Sequence, residues 1–418
     1  MVNHSGRFKI DFVKVIKRSL KSFCFCLLLI SVGEINAGEM LGRNASYHNL
    51  DHGHEALLIS AMEKVRRGET RAALPLLEQL VSVNPKFKLA QLMYADLLLA
   101  QSRGISDFGN MSSAPYKQIV ALREEAQARW QHYIVPPMQN KLPSSLVKLS
   151  EQQKYAIVVD MKNSRLFLYE NNKGEPELID DYYATIGKKG SGKYLEGDQK
   201  TPVGVYFVTS FIESKDLPDL YGDGAFPIDY PNAWDQRHGR TGYGIWLHGT
   251  PSATFSRPPR DSDGCVIVSN KDLNTISPYI QTGLTPVILA ENINWISKDE
   301  WKSRQSSFDK HVEQWRKDWE SRDADRYLSH YSRNYSGLGK DYDGWVEYKR
   351  RVNPTKRFIK IGISDKSIFL YPGEEALMVV TFKQDYSSDD TKRRFVKRQY
   401  WQMDKDGQWR IVYEGSVS

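Results

Sequence analysis

One cysteine and one histidine in the middle of the chain have the residue types for covalent chemistry. Cys265 lies in DSDGCVIVSN, residues 261–270, between a flexible Asp-Ser-Asp-Gly turn and an apolar run. His248 lies in GIWLHGT, residues 244–250, where an apolar run ends just before Gly249. A thiol attacks a carbonyl as its thiolate, so it needs a nearby base and an electropositive setting. An imidazole supplies both, provided a third group orients it through its other nitrogen. No carboxylate flanks His248, and the backbone carbonyl of Gly249 is the local candidate for that part. The oxyanion formed on attack would meet the backbone N–H groups of Gly264 and Cys265. Gly264 lets the backbone turn sharply there. A lone cysteine is ordinarily a small core residue; it is the pairing with a histidine on a neighbouring run that suggests chemistry.

For the pair to meet, the two runs must be neighbouring strands, about 4.8 Å apart. The surrounding sequence supports strands. YAIVVDMKNSRLFLYENN, from Tyr155, is two β-rich runs with Lys162-Asn163 between them, a hairpin pattern. Further β-type runs follow at 181–185, 203–209, 244–247, 265–268 and 285–289, separated by Gly- and Pro-rich loops. A helix is expected from about Asn270, capped by Ser269 or by Asn270 itself. Upstream, residues 56–100 have apolar residues at helical spacing, punctuated by Gly68 and Asn84-Pro85. They fit one tetratricopeptide-like unit or an ordinary helical hairpin. Another helix is expected over 116–133, ended by Val135-Pro136-Pro137, with a polar linker to about Gln153. Downstream, a helix from Glu300 to about Tyr331 precedes strands at 357–363, 377–384, 395–404 and 408–413. Helices followed by a run of strands describe an α+β domain.

The N-terminus reads as a secretion signal over residues 1–37. Lys14, Lys17, Arg18 and Lys21 precede the apolar run Phe23–Val32, and Ile35-Asn36-Ala37 offers a cut before Gly38. That run is too short for a spanning helix, which needs roughly 20 apolar residues. The protein is therefore expected in the periplasm, with no membrane span after cleavage. The cut would remove Cys24 and Cys26 and leave Cys265 as the only thiol. In an oxidising compartment an idle exposed thiol is a liability. The formal net charge of +7 suits anionic surfaces such as a wall polymer. Basic residues are spread along the chain without a binding motif, so nucleic acid is not an expected partner. No His/Cys cluster has metal-ligand spacing, and no phosphate loop has the required strand-to-helix setting. No metal and no cofactor are expected, and no oligomeric state is assigned.

IWLHGT…SDGCVIVSN resembles the catalytic motif of the L,D-transpeptidase (YkuD-type) family of cell-wall enzymes. IGKKGSGKYLEGDQKTPVGVY resembles the family's stretch before the active site, with Thr201-Pro202-Val203-Gly204 at its core. The resemblance implies that Cys265 is the acylated nucleophile and His248 its proton acceptor. It further implies that the Gly249 carbonyl holds the histidine and that Ser262 and Gly264 belong to the loop before the nucleophile. A β-sandwich-like domain and attack on the L,D-amide of peptidoglycan stem peptides follow from it. Many members carry Arg two residues after the cysteine, where Ile267 stands here, and a basic or His residue is frequent at the position of Asp263. Arg257, Arg260 and Ser262 are candidate substrate-binding residues, the two arginines as substitutes for the missing one or as solvated loop charges. The C-terminal region resembles the α+β cone of the nuclear transport factor two superfamily through Trp315, Trp319, Asp323, Tyr327 and Tyr331, then Phe382, Gln384, Tyr386 and Trp409-Arg410-Ile411. Such cones enclose a pocket that binds ligand in some members and is only packed in others. The order of regions resembles that of helical-pathogen L,D-carboxypeptidases.

The expected architecture is thus multidomain: a helical region over 38–151, a mainly β catalytic domain over 152–292 and an α+β cone over 300–418. The expected activity is cysteine acyl transfer releasing D-alanine from tetrapeptide stems. Transpeptidation is the first reading, carboxypeptidation the second, and a non-catalytic wall-binding scaffold the third.

Overall fold

The computed structural model describes residues 53–102, 108–109, 115–135, 140–374 and 376–417. The secretion signal with Cys24 and Cys26, and Pro136-Pro137, lie outside the described residues. The described chain forms two compact units. The first comprises the helical region up to residue 133 together with Ala253–Pro258, and the second comprises Ile134–Ser252 and the chain from Pro259 onward.

In the first unit, helices Gly53–Arg66, Thr70–Val83, Lys88–Ala100 and Tyr116–Ile134 bury Leu58, Leu77, Leu80, Leu89 and Leu97. Gly68, at φ +80°, turns the chain out of the first helix. Phe255 packs its ring 4.6 Å from that of Phe87. Buried Arg129 donates to Glu125 at 3.0 Å and to Glu55 at 2.9 Å.

The second unit holds two β layers and the cone. One sheet has five strands in the order 175–183, 165–172, 155–160, 286–290 and 204–207. The hairpin expected from Tyr155 forms, with Ile157 opposite Leu168. The other sheet has four short strands in the order 266–267, 246–248, 224–227 and 212–213. Ile157, Leu168, Tyr206, Phe226, Leu247, Val266 and Leu289 fill one core between them. This is the mainly β layer arrangement expected of the catalytic region.

The cone has a long helix, Lys298–Glu320, and strands Ile359–Leu370, Leu377–Ser388, Lys392–Met403 and Trp409–Val417 in sequential antiparallel order. The helix expected to run to Tyr331 stops at Glu320. Arg322 takes φ +66°, which breaks the helical path. Asp323 then starts a second helix, Ala324–Leu328, by accepting from the N–H groups of Asp325 and Arg326. A further helix, Tyr342–Val352, was not expected. The stretch read as a polar linker is also structured. Lys141–Pro143 pairs with Trp295–Ser297, and Leu146–Lys148 pairs with the cone strand Ile359–Leu370. Its polar composition hid four buried apolar residues, Leu142, Leu146, Val147 and Leu149. Among the described residues no helix is long and apolar enough to cross a membrane.

Candidate active site

The strand Trp246–His248 lies between two partners. It runs antiparallel to Gly224–Pro227 and parallel to Val266–Ile267, with Leu247 opposite Val266 and His248 opposite Ile267. Cys265 enters the neighbouring strand one residue before Val266, so the sheet brings the thiol and the imidazole onto adjacent strands. The Cys265 thiol is partly exposed and lies 3.5 Å from the Gly244 carbonyl oxygen.

His248 is buried, and its Nδ1 lies 2.7 Å from the Gly249 carbonyl oxygen. A carbonyl can only accept, so Nδ1 carries the proton and Nε2 is left with its lone pair. The Tyr221 ring meets the imidazole edge-on, with centroids 5.0 Å apart, and packs 4.7 Å from the Trp246 ring. Burial pushes the Tyr221 hydroxyl above its usual value, and negative charge at Cys265 and Asp263 adds to the effect. Tyr221 therefore lies against the histidine and within electrostatic reach of the cysteine.

The turn before Cys265 is closed by its own hydrogen bonds. Ser262 Oγ donates to the Cys265 carbonyl at 2.6 Å and accepts from the Gly264 N–H at 3.1 Å. Gly264 takes φ +128°, and a Cβ there would lie 2.8 Å from the Lys200 carbonyl oxygen. Only glycine fits. The buried Ser262 hydroxyl, an expected substrate-binding group, bonds the backbone of the turn at both ends. The Gly264 N–H, expected to face an oxyanion, donates to that hydroxyl.

The segment after Gly187 borders this turn. Lys188 N–H donates to the Ser262 carbonyl at 2.7 Å. Lys188 Nζ and Gln199 Nε2 reach Asp263 Oδ1 at 3.0 and 3.1 Å. Asp263 thus joins the turn before Cys265 to the segment carrying Thr201-Pro202. Ile267, at the position where the family resemblance implies Arg, is buried, and its N–H and C=O both pair with Thr185 at 2.9 and 2.8 Å. Arg260 is exposed at the start of the strand Arg260–Ser262. Arg257 belongs to the other compact unit. Tyr221 was missed from sequence. Its only signal was an aromatic residue in a glycine-punctuated loop, YGDG, with no motif to recommend it.

The layered β core places a cysteine and a backbone-held histidine side by side at the edge of one sheet. Comparison with known proteins gives the family. Residues 154–289 match the model of the L,D-transpeptidase catalytic domain of YkuD type, and residues 307–415 match the Cds6 C-terminal NTF2-like domain. The structure of Bdellovibrio bacteriovorus Bd1075 is similar at 32% identity, over 66% of this chain and 98% of that one, with a TM-score of 0.59. The helical cell shape determining protein Pgp2 from Campylobacter jejuni is similar at 25% identity, over 65% of this chain and 95% of that one, with a TM-score of 0.56. No curated protein sequence gives a significant match. The chain belongs to the YkuD-type L,D-transpeptidase family and carries an NTF2-like C-terminal domain.

Proposed function

We propose that the protein is a periplasmic peptidoglycan L,D-transpeptidase in which Cys265 is the nucleophile, His248 the proton carrier and Gly249 the orienting carbonyl. The observation that carries this reading is the Nδ1–Gly249 contact at 2.7 Å on a strand next to that of Cys265. It turns Nε2 into the only basic nitrogen of the ring. The thiol proton passes to Nε2, and Sγ attacks the carbonyl carbon of the L,D-amide in a tetrapeptide stem. The Cys265 N–H meets the developing oxyanion. The imidazolium then gives its proton to the leaving amine, D-alanine departs, and a thioester remains. An acceptor amine attacks the thioester to give a cross-link or an exchange product, and the thiol is restored. Arg260, exposed beside the nucleophile turn, can meet a stem-peptide carboxylate. The helical region 38–151, catalytic domain 152–292 and cone 300–418 are taken as the three domains of this enzyme. The shape-determining name of Pgp2 suggests a role in cell shape.

Hydrolysis of the same thioester is the second reading, favoured by one observation. Ile267 is buried where an Arg would stand, so that position offers no cation to order an acceptor. An ordered acceptor can reach effective molarities of about 10⁵ M or more, whereas water needs no site. Purified tetrapeptide muropeptides with a competing D-amino acid separate the two, read by product mass. Cross-linked or exchanged product supports transpeptidation, and tripeptide alone overturns it in favour of carboxypeptidation. A single carbapenem adduct, lost in Cys265→Ser, is expected for either enzyme. Its absence, with no turnover, favours the scaffold.

A further inference from the structure

We infer that Asn270 is a positioning residue for His248, acting through the Gly249–Thr250 peptide group. The inference rests on the acyl-transfer reading above. Asn270 opens the short helix Asn270–Ile276, but it does not cap it. Ser269 does so, with its hydroxyl accepting from the Asp272 N–H at 3.1 Å. The Asn270 carboxamide is turned instead to the loop after His248. Its Oδ1 accepts from the Thr250 N–H at 3.0 Å and from the Asp223 N–H at 3.1 Å, and its Nδ2 donates to the Thr250 carbonyl at 2.8 Å.

The Thr250 N–H and the Gly249 C=O belong to one planar peptide unit and point in opposite directions. The C=O of that unit is the acceptor for His248 Nδ1 at 2.7 Å. Asn270 therefore holds one end of the peptide group whose other end sets the imidazole. Hydrogen bonds in such a chain polarise one another, so an acceptor on the N–H makes the C=O a stronger acceptor. That strengthens its hold on the protonated ring. The glycines around it record the same arrangement. A Cβ on Gly249 would lie 2.0 Å from Asn270 Oδ1, and one on Gly222 would lie 2.1 Å from it. The Gly249 N–H is held separately by the Tyr221 carbonyl at 3.1 Å.

The test uses the full chain and two readouts, muropeptide turnover and the pH profile of Cys265 alkylation. Asn270→Ala is expected to lower turnover by about 10²-fold, the scale of a misplacement near 1 Å. Its alkylation midpoint should rise toward the free-thiol value of about 8.5. Asn270→Asp keeps the acceptor but places a negative charge on it. It is expected to stay within about tenfold of wild-type turnover and to hold the imidazolium to higher pH, which stabilises the thiolate and shifts the alkylation midpoint downward, opposite to Asn270→Ala. Asn274→Ala is the control, because Asn274 bonds Asp223 Oδ2 at 2.7 Å and should leave both readouts unchanged. A folded Asn270→Ala with the wild-type profile overturns the inference. If Asn270→Ala does not fold, an unmoved profile in Asn270→Asp overturns it as well. His248→Ala separates the two levels. If it too leaves the profile unmoved, the acyl-transfer reading has failed. If it moves the profile and the Asn270 variants do not, only the role of Asn270 is lost.

Discussion

Two polar interiors of the larger unit are built in opposite ways. Around Cys265 and His248, the polar groups that set the geometry are neutral and are met by short local bonds, mostly to backbone: Ser262 to its own turn and His248 to Gly249. The cone buries charge. Lys349 lies over the rings of Trp319, Trp345 and Tyr327 at 4.3, 4.5 and 4.9 Å. Buried Lys397 pairs with buried Glu414 at 3.2 Å. Gln384 has no hydrogen-bond partner at either side-chain atom. Desolvating charge is expensive even when it is paired. The geometry around Cys265 and His248 is held by backbone and glycine, whereas the buried charges of the cone carry a desolvation cost and make no contact with that geometry.

The largest expected effect falls on the first region alone. Cys265→Ser is expected to cut turnover by about 10⁴-fold or more. Its unfolding free energy should stay within about 1 kcal/mol of wild type. Chemical denaturation alongside muropeptide turnover checks both, and residual wild-type activity would end the nucleophile assignment. His248→Gln should cost about 10²–10⁴-fold. Its alkylation profile should move to that of a free thiol, and superimposable profiles would remove His248 from the mechanism.

Tyr221 tests how far backbone control extends to side chains. Its contact with His248 is made by the ring, so Tyr221→Phe should be near wild type. Tyr221→Leu should lose up to about tenfold in kcat, the scale of one aromatic contact. Equal losses in both would point to the hydroxyl instead.

The smallest effect on activity is expected from the cone. Burial, with Lys397 nearby, pushes the Lys349 ammonium down from its ordinary 10.5 to about 7. Between those values the unfolded chain holds a proton that the folded one has released. Stability therefore rises as pH increases from about 7 toward 10 and is lowest below 7. Lys349→Met should flatten that rise and stabilise the protein by about 1–4 kcal/mol at pH 6. Turnover should stay within about twofold. Parallel stability–pH curves for wild type and variant would show that Lys349 does not titrate in this range.

The strands around the site were legible because alternation and glycine punctuation are local signals. The runs at Tyr155, Trp246 and Val266 form where the pattern placed them. The Gly249 contact was legible too, because it lies one residue from His248. Tyr221 and Asn270 were not, since each reaches the histidine loop from a distant part of the chain. The break at Arg322 was hidden because helical periodicity resumes after Asp323. Leu142 to Leu149 went unread for a related reason. Each of those strands is only three residues long and is completed by partners far along the chain.

The pairing of Leu146–Lys148 with Ile359–Leu370 makes the catalytic region an insertion within the cone's sheet. One continuous apolar core runs from Leu146 and Val158 through Trp234 to Phe369 and Tyr400. During synthesis the first of these strands emerges more than two hundred residues before its partner, so it must wait unpaired while the catalytic sheets form. A chain cut after the catalytic strands would leave Leu146 and Leu149 without cover and an open sheet edge beside them. The two regions should therefore melt in a single transition, and neither should be recovered soluble without the other.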